Sequence, residues 1–232
     1  MHLRAQPLAL FVLSLFFLAK LNAGALTWEK DKIVTEIMKG DQTEVKAAFP
    51  FKNTSDHPVT ITSVETSCGC TTAGLDKKTY AAGEGGVIAV VFNAADRTGL
   101  EQKYITVTTD EPHQPPTRLL LQVTINEYYS LEPHLLLWKI TDNPVEQMAV
   151  LLALTPQSIT SVVPNTDGAS GFATRIEVVE KGRKYNVYIR PLSMKEPLRG
   201  LVTFQIKFTS VADRVGKVYV FVNPAHVSQT DD

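Results

Sequence analysis

Two cysteines separated by a single glycine are the residues of this chain whose types and spacing could do chemistry. They lie in the motif Thr66-Ser67-Cys68-Gly69-Cys70-Thr71. The 232-residue sequence contains no other Cys. We expect the motif to end a strand that starts near Val59. Residues two apart in a strand project to the same face, so both sulfurs should lie on one side of the strand.

The apolar alternation changes parity within this strand. Val59 and Ile61 share one parity, whereas the residues from Val64 onward share the other. A bulge adds one residue to a strand and thereby moves the following side chains to the other face. The pattern therefore predicts a β-bulge near Thr62 or Ser63.

Three interpretations of the cysteine pair are open. In the first, Cys68 and Cys70 form a disulfide. Strand geometry places their Cα atoms roughly 6.5 Å apart, near the upper limit for such a bond. Gly69 permits a bend that shortens this distance. A bond made under strain is readily reduced, which suits a thiol–disulfide redox role.

In the second interpretation both thiolates bind a soft ion such as Cu(I), for which thiolate ligands are selective. Zinc fits less well, because a structural zinc site takes four ligands. In the third interpretation, Cys68 and Cys70 are small apolar residues at the edge of the core. Thr66, Ser67, Gly69 and Thr71 support the pair in each of these interpretations.

The neighbours of the pair follow from the order of the strands. If strands alternate in direction, the loop of residues 93–99 lies at the cysteine end of its domain. Arg97 in this loop could lower the pKa of a thiol. His57 and His113 fall in turns at the opposite end, so we expect no histidine of this domain to join the sulfurs.

The elements that position the motif are short strands. Apolar residues alternate with polar ones in residues 45–51, 88–92 and 119–125, and turns rich in Asn, Asp, Gly and Pro separate these runs. This pattern is typical of an antiparallel β-sandwich. It repeats without Cys after residue 128, where Trp138 is expected to be a core residue.

We therefore predict two tandem domains, residues 26–127 and 128–226, followed by a polar tail at 227–232. The join near residues 126–133 has no Gly/Ser-rich spacer, so the domains should have limited freedom.

Residues 1–25 are predicted to be a secretory signal peptide. Arg4 supplies the positive start, residues 8–19 are almost entirely apolar, and small residues surround a cleavage site after Ala23 or Ala25. No later apolar run is long enough to span a bilayer. We expect an exported protein of the periplasm or cell envelope, with an extracellular location as the alternative, and without a membrane span after processing. Such a compartment is oxidising.

Composition and motifs argue against several classes of function. The 23 Lys+Arg and 24 Asp+Glu give a net charge of −1, whereas a nucleic-acid binder would show a basic surface. No nucleophile lies near a base, and no paired-carboxylate motif is present, so we predict no enzyme. We expect a protein partner and no cofactor, with copper as the alternative.

The cysteine motif and its surroundings resemble the bacterial family called domain of unknown function 1573. The similarity covers about residues 40–125. The segments that carry it begin at residue 49 with Phe-Pro-Phe-Lys-Asn-Thr-Ser-Asp, at residue 66 with Thr-Ser-Cys-Gly-Cys-Thr, and at residue 105 with Ile-Thr-Val-Thr-Thr-Asp. The resemblance implies an exported, immunoglobulin-like sandwich and no established activity.

Together these observations predict an all-β chain of two tandem immunoglobulin-like antiparallel β-sandwiches behind a signal peptide. The expected function is that of a non-catalytic exported module that binds protein or builds part of the envelope. The alternative is a periplasmic protein that binds copper or exchanges disulfides through Cys68 and Cys70.

Overall fold

The computed structural model describes residues 24–140, 142–165 and 170–224. These residues form strands, turns and bends and no helix, which confirms the prediction of an all-β chain. The predicted signal peptide up to Ala23 and the predicted tail at 227–232 lie outside the described residues. Among the described residues, no helix is long and apolar enough to cross a membrane.

Nine strands lie between residues 26 and 126 and form two facing sheets. The strands are β1 (Leu26–Trp28), β2 (Lys32–Met38), β3 (Glu44–Asn53), β4 (Val59–Thr66), β5 (Thr71–Gly74), β6 (Thr79–Tyr80), β7 (Gly85–Asn93), β8 (Gly99–Thr109) and β9 (Thr117–Asn126). One sheet has the order β1-β3-β7-β5 and the other the order β2-β9-β8-β4-β6. Alternate residues of both sheets, including Phe49, Phe51, Ile105 and Leu121, are buried in one apolar cluster.

Eight further strands repeat this arrangement between residues 129 and 223. They are β10 (Tyr129–Glu132), β11 (Leu135–Lys139), β12 (Gln147–Ala153), β13 (Ile159–Asn165), β14 (Phe172–Glu180), β15 (Lys184–Pro191), β16 (Leu198–Phe208) and β17 (Arg214–Asn223). Their sheets have the orders β10-β12-β15-β14 and β11-β17-β16-β13. A second apolar cluster fills the space between them and contains Trp138, which is 1% exposed. The prediction of a buried Trp138 is confirmed.

Two details of the strand pairing bear on the sequence predictions. The register of β4 against β8 shifts between Ile61 and Ser63, which confirms the predicted bulge. The pairs β2–β9 and β11–β17 are parallel, so each predicted antiparallel sandwich also contains one parallel pair. The alternation of side chains is the same in parallel and antiparallel strands, and the sequence pattern therefore does not distinguish them.

Candidate functional site

The two cysteines lie in the short turn that connects β4 to β5. β4 ends at Thr66, and the chain turns through residues 67–70 before β5 begins at Thr71. Cys68 and Cys70 are joined by a disulfide, and their Cα atoms are 5.3 Å apart. The prediction that the cysteines belong to a strand was wrong. The turn brings the Cα atoms closer than strand geometry allows and into the ordinary range for a disulfide.

Gly69, between the cysteines, does not need the conformational freedom that the sequence suggested. It does not have a positive φ, unlike five other glycines of the described chain. A Cβ atom added to Gly69 would meet no heavy atom within 4 Å. The bend between Cys68 and Cys70 is therefore open to a residue with a side chain.

Two threonines hold the turn from its two ends. The single proton of the Thr66 hydroxyl is shared between the carbonyl oxygens of Cys68 at 3.2 Å and Thr71 at 3.0 Å. The Thr71 side chain is buried, and its hydroxyl lies 3.5 Å from Cys68 Sγ and 3.9 Å from Cys70 Sγ. The Thr71 backbone N–H also donates to the Cys68 carbonyl at 3.3 Å. These contacts fix the turn without using the sulfur–sulfur bond.

Strands on both sides also anchor the turn. The Ser67 N–H donates to the Tyr104 carbonyl at 3.0 Å, and the Tyr104 N–H donates to the Ser67 hydroxyl at 3.1 Å. On the other side, the Asn93 N–H donates to the Cys70 carbonyl at 2.9 Å. The turn is thus tied to β8 of one sheet and β7 of the other.

Exposure differs along the turn. Gly69 and Ser67 are exposed, whereas Cys68 and Cys70 are both half-buried. Cys70 packs partly against the core cluster of its domain. The disulfide therefore lies at the end of the sandwich, where a reagent or partner can approach it from the solvent side.

Arg97 follows Asn93 in the loop that begins beside Cys70. Its guanidinium lies 3.7 Å from a carboxylate oxygen of Glu101 and 5.9 Å from the centroid of the Phe92 ring. The side chain of Arg97 is thus directed to Glu101 and Phe92.

The first-domain histidines lie around the turn that precedes β4. His57 Nδ1 is 2.8 Å from Asp56, and His57 Nε2 is 2.8 Å from Glu111, two residues before His113. The hydrogen bonds to Asp56 and then to Glu111 raise the pKa of His57 above its ordinary value. Within the described ranges, no group of three or more His, Cys, Asp or Glu could hold a metal ion.

A polar cluster at the junction between the two sandwiches was not found by sequence reasoning. Asp41 pairs with Arg214 and accepts a hydrogen bond from the Tyr128 hydroxyl at 2.8 Å. Lys39 pairs with Glu127 at 3.2 Å. Lys39, Glu127, Tyr128 and Arg214 of this cluster line a cavity of about 210 Å³. Asp41 and Arg214 are 173 positions apart, and no spacing or motif marks them as neighbours.

The other feature that sequence reasoning missed is the open edge of β2. β2 pairs with β9 on one side only. At its two ends the Leu120 N–H donates to Asp31 O and the Lys39 N–H donates to Asn126 O, each at 2.8 Å. Odd-numbered residues therefore direct their backbone groups to β9, because these groups alternate in direction along a strand.

The even-numbered residues Lys32, Val34 and Glu36 direct their backbone groups away from β9. In the part of the chain that the structure describes, no strand pairs with β2 on that side. Val34 is 56% exposed. A cavity of about 360 Å³ lies at the end of this edge, with Glu36, Met38 and Asn126 in its wall. The edge thus offers unpaired donors and acceptors beside a recess for a side chain.

A family model matches the first sandwich. Residues 26–125 match the family model described as "Protein of unknown function (DUF1573)", which confirms the resemblance seen in the sequence. Comparison with the curated proteins gives no match.

Solved structures give weak similarities. The VesB protease of Vibrio cholerae is 16% identical, with 43% of this chain and 32% of that chain covered and a TM-score of 0.34. PapD-like domain 7 of human CEP192 is 10% identical, with 55% and 99% covered and a TM-score of 0.39. The CupB2 chaperone of Pseudomonas aeruginosa is 12% identical, with 83% and 99% covered and a TM-score of 0.33. The chain spans about a third of the VesB length, and none of these similarities carries an argument about function.

Proposed function

Because the description of the family that residues 26–125 match assigns no activity, we propose a function from the geometry of this chain. It is a non-catalytic, exported module that binds an extended segment of another envelope protein along β2. The open edge of β2 is the observation that carries this proposal.

Backbone groups of the edge supply the affinity. An added strand would pair with the free N–H and C=O groups of Lys32, Val34 and Glu36, as in other complexes formed by β-strand addition. Specificity would come from the side chains next to the edge. An apolar residue opposite Val34, with charges opposite in sign to Lys32 and Glu36, fits this surface.

The expected compartment is consistent with the cysteine chemistry. An exported chain meets an oxidising environment, in which a disulfide such as Cys68–Cys70 forms and persists. The predicted signal peptide supports export independently of the disulfide. We therefore place the partner in the periplasm or cell envelope.

Substitution of Val34 with Pro tests the proposal. The Val34 N–H points away from β9, so its loss should leave the β2–β9 pairing in place. We expect Val34→Pro to reduce capture of the partner from envelope extract at least about tenfold, since a donor is lost and the ring obstructs pairing. The measurement is quantitative pull-down of reproducible partners by the purified chain, with thermal melting to check folding.

Val34→Thr is the matched control, because it keeps the backbone N–H and a β-branched side chain at the same position. It should retain capture. Equal capture by Val34→Pro and the unsubstituted chain, or no reproducible partner in envelope extract, would contradict the proposal.

A second candidate function is favoured by the half-exposed disulfide in a turn that other contacts hold in place. In this function two thiols of a glutathione-type reductant reduce the Cys68–Cys70 bond and leave as a disulfide, and the chain gains two thiols. Because Thr66, Asn93 and Tyr104 hold the turn, the reduced sulfurs would stay close enough to re-form the bond. Cu(I) is the alternative ligand of that reduced pair, because bonded sulfurs are not thiolates.

Thr66→Ala should shift the exchange equilibrium toward the dithiol. The variant loses the shared hydrogen bond from the Thr66 hydroxyl to the turn, so the reduced turn has more conformations to lose on closure. We expect the ratio of disulfide to dithiol to fall about fivefold in glutathione buffers. A fivefold change corresponds to the net free energy that one hydrogen bond contributes, about 1 kcal/mol. Gly69→Ala is the control and should match the unsubstituted chain, since its Cβ meets open space.

An unchanged ratio in Thr66→Ala would show that the turn does not prearrange the sulfurs. Anaerobic copper titration separates the two chemistries. The reduced chain should bind one Cu(I) if the pair is a metal site, and the Cys68→Ala, Cys70→Ala double variant should bind none.

A further inference from the structure

β14 is the last strand of its sheet and pairs only with β15. The Leu192 N–H donates to Gly171 O at 2.7 Å just before β14 begins. Odd-numbered residues of β14 therefore direct their backbone groups to β15, and Thr174, Ile176 and Val178 direct theirs outward. In the described residues no strand pairs with this outer side.

We propose that two copies of this chain pair through β14, antiparallel, about a two-fold axis at Ile176. In this register Ile176 faces Ile176 of the second copy, and Thr174 faces Val178 of the second copy. The three resulting pairs join residues whose backbone groups all point outward. Each such pair exchanges two hydrogen bonds, which gives about six in total. The proposal is independent of export, of the β2 partner and of the disulfide.

Charge selects this register from its neighbours. With the axis at Ile176, each Arg175 lies opposite Glu177 of the second copy, and unlike charges directly opposite are favourable. An axis at Arg175 would place two Arg side chains together, and an axis at Glu177 would place two Glu side chains together. Both alternatives satisfy the backbone alternation, and both put like charges opposite each other, which is unfavourable.

Both charged side chains are already ordered within one chain. The Glu146 carboxylate accepts from Arg175 Nε at 3.2 and 3.1 Å and from Arg175 Nη2 at 2.8 Å. The guanidinium stacks 3.5 Å from the ring centroid of Tyr188, whose hydroxyl donates to Glu177 at 2.7 Å. The hydrogen bonds from Tyr188 and then Asn186 lower the pKa of Glu177, so it is ionised at neutral pH. Ordering before association reduces the entropy lost on pairing.

Pairing also covers an apolar side chain that the single chain exposes. Val178 is 58% exposed and would pack against Thr174 of the second copy. Two other edges of this domain, β11 and β13, are protected. In β11, Gln147 donates to the Leu137 carbonyl at 2.6 Å and Asp142 accepts from the Lys139 N–H at 2.9 Å. β13 contains Pro164, and proline is a common protection of edge strands.

Charge-reversed variants test the register. Arg175→Glu and Glu177→Lys each create like charges at both contacts of a homodimer. A mixture of the two variants has unlike charges at both contacts. We expect sedimentation equilibrium to show a reversible dimer of the unsubstituted chain and a dissociation constant at least about tenfold higher for each variant alone. The mixture should return to within about threefold of the original value.

The mixing experiment separates pairing from folding, because any damage within a chain is the same in both samples. Ile176→Cys should form an interchain disulfide under oxidising conditions, because the two introduced cysteines face each other. Val178→Cys should not, because position 178 faces position 174 of the second copy, four residues away from the second introduced cysteine. A chain that stays monomeric up to about 1 mM, the weak end of measurable affinity, or a mixture no stronger than its components, would overturn the proposal. Val34→Pro should leave the dimer unchanged, so failure of the β2 proposal is distinguishable.

Discussion

Asn53→Ala should destabilise the chain by about 3–5 kcal/mol, a large loss for one polar residue. Asn53 is completely buried. Its side-chain amide donates to the carbonyls of His57 at 2.8 Å and Tyr80 at 2.9 Å. Its side-chain oxygen accepts from the Ser55 N–H at 3.0 Å and the Ser55 hydroxyl at 2.7 Å. Alanine would leave several of these groups without a partner and away from water, which costs more than the hydrogen bonds themselves.

Urea denaturation followed by far-UV circular dichroism measures this loss. Asn93→Ala is the matched control. Asn93 is exposed and its side chain accepts one hydrogen bond, from the Ala95 N–H at 3.1 Å. We expect the control to cost no more than about 1 kcal/mol. If Asn53→Ala lowers the free energy of unfolding only as much as the control does, water forms hydrogen bonds with the groups of the turn as well as the Asn53 amide does.

The alternation of apolar residues was sufficient to predict the architecture. In residues 119–125 each apolar side chain of one parity is buried, and in residues 45–51 each is buried except the partly buried Ala47, as two-layer packing requires. The bulge near Ser63 was also predictable, because an inserted residue changes the parity of the side chains that follow it. These features depend on local periodicity, which a single sequence displays directly.

The rest depends on contacts that local periodicity does not encode. The sequence pattern runs unbroken from Val64 to Cys70, yet the strand ends at Thr66, whose hydroxyl contacts the carbonyls of Cys68 and Thr71. The parallel partner of β2 is β9, far along the chain. The Asp41–Arg214 pair joins the two sandwiches across most of the sequence. Such contacts are set by tertiary packing, for which one sequence gives no spacing rule.

The separation of the two apolar clusters bears on how the two sandwiches unfold. The first cluster contains residues from Leu26 to Ile125, and the second contains residues from Tyr128 to Val222. Between them lie Met38 of β2, which packs against the second cluster, and the polar cluster that includes Asp41 and Arg214, whose exposed parts are screened by solvent. Loss of packing in one cluster should therefore have little effect on packing in the other.

Trp138→Ala should cost the second sandwich about 3–5 kcal/mol, the usual range for removing a large aromatic core side chain. Trp138 is 1% exposed, and its ring centroid lies 5.9 Å from that of Phe172. Its indole N–H donates to the Val145 carbonyl at 2.9 Å. The substitution removes both the packing and this hydrogen bond.

Trp138→Phe is the control, since it keeps an aromatic ring in the cluster while losing the N–H donor, and it should cost less than Trp138→Ala. Trp28, in β1, is the other tryptophan of the chain, so its fluorescence reports the first sandwich in the Trp138→Ala variant. We expect urea to unfold part of the circular dichroism signal at a lower midpoint in Trp138→Ala, while Trp28 fluorescence keeps the midpoint that it has in Trp138→Phe, where Trp28 is also the sole tryptophan. A Trp28 midpoint that falls together with the circular dichroism midpoint would show that the junction couples the two clusters into one cooperative unit.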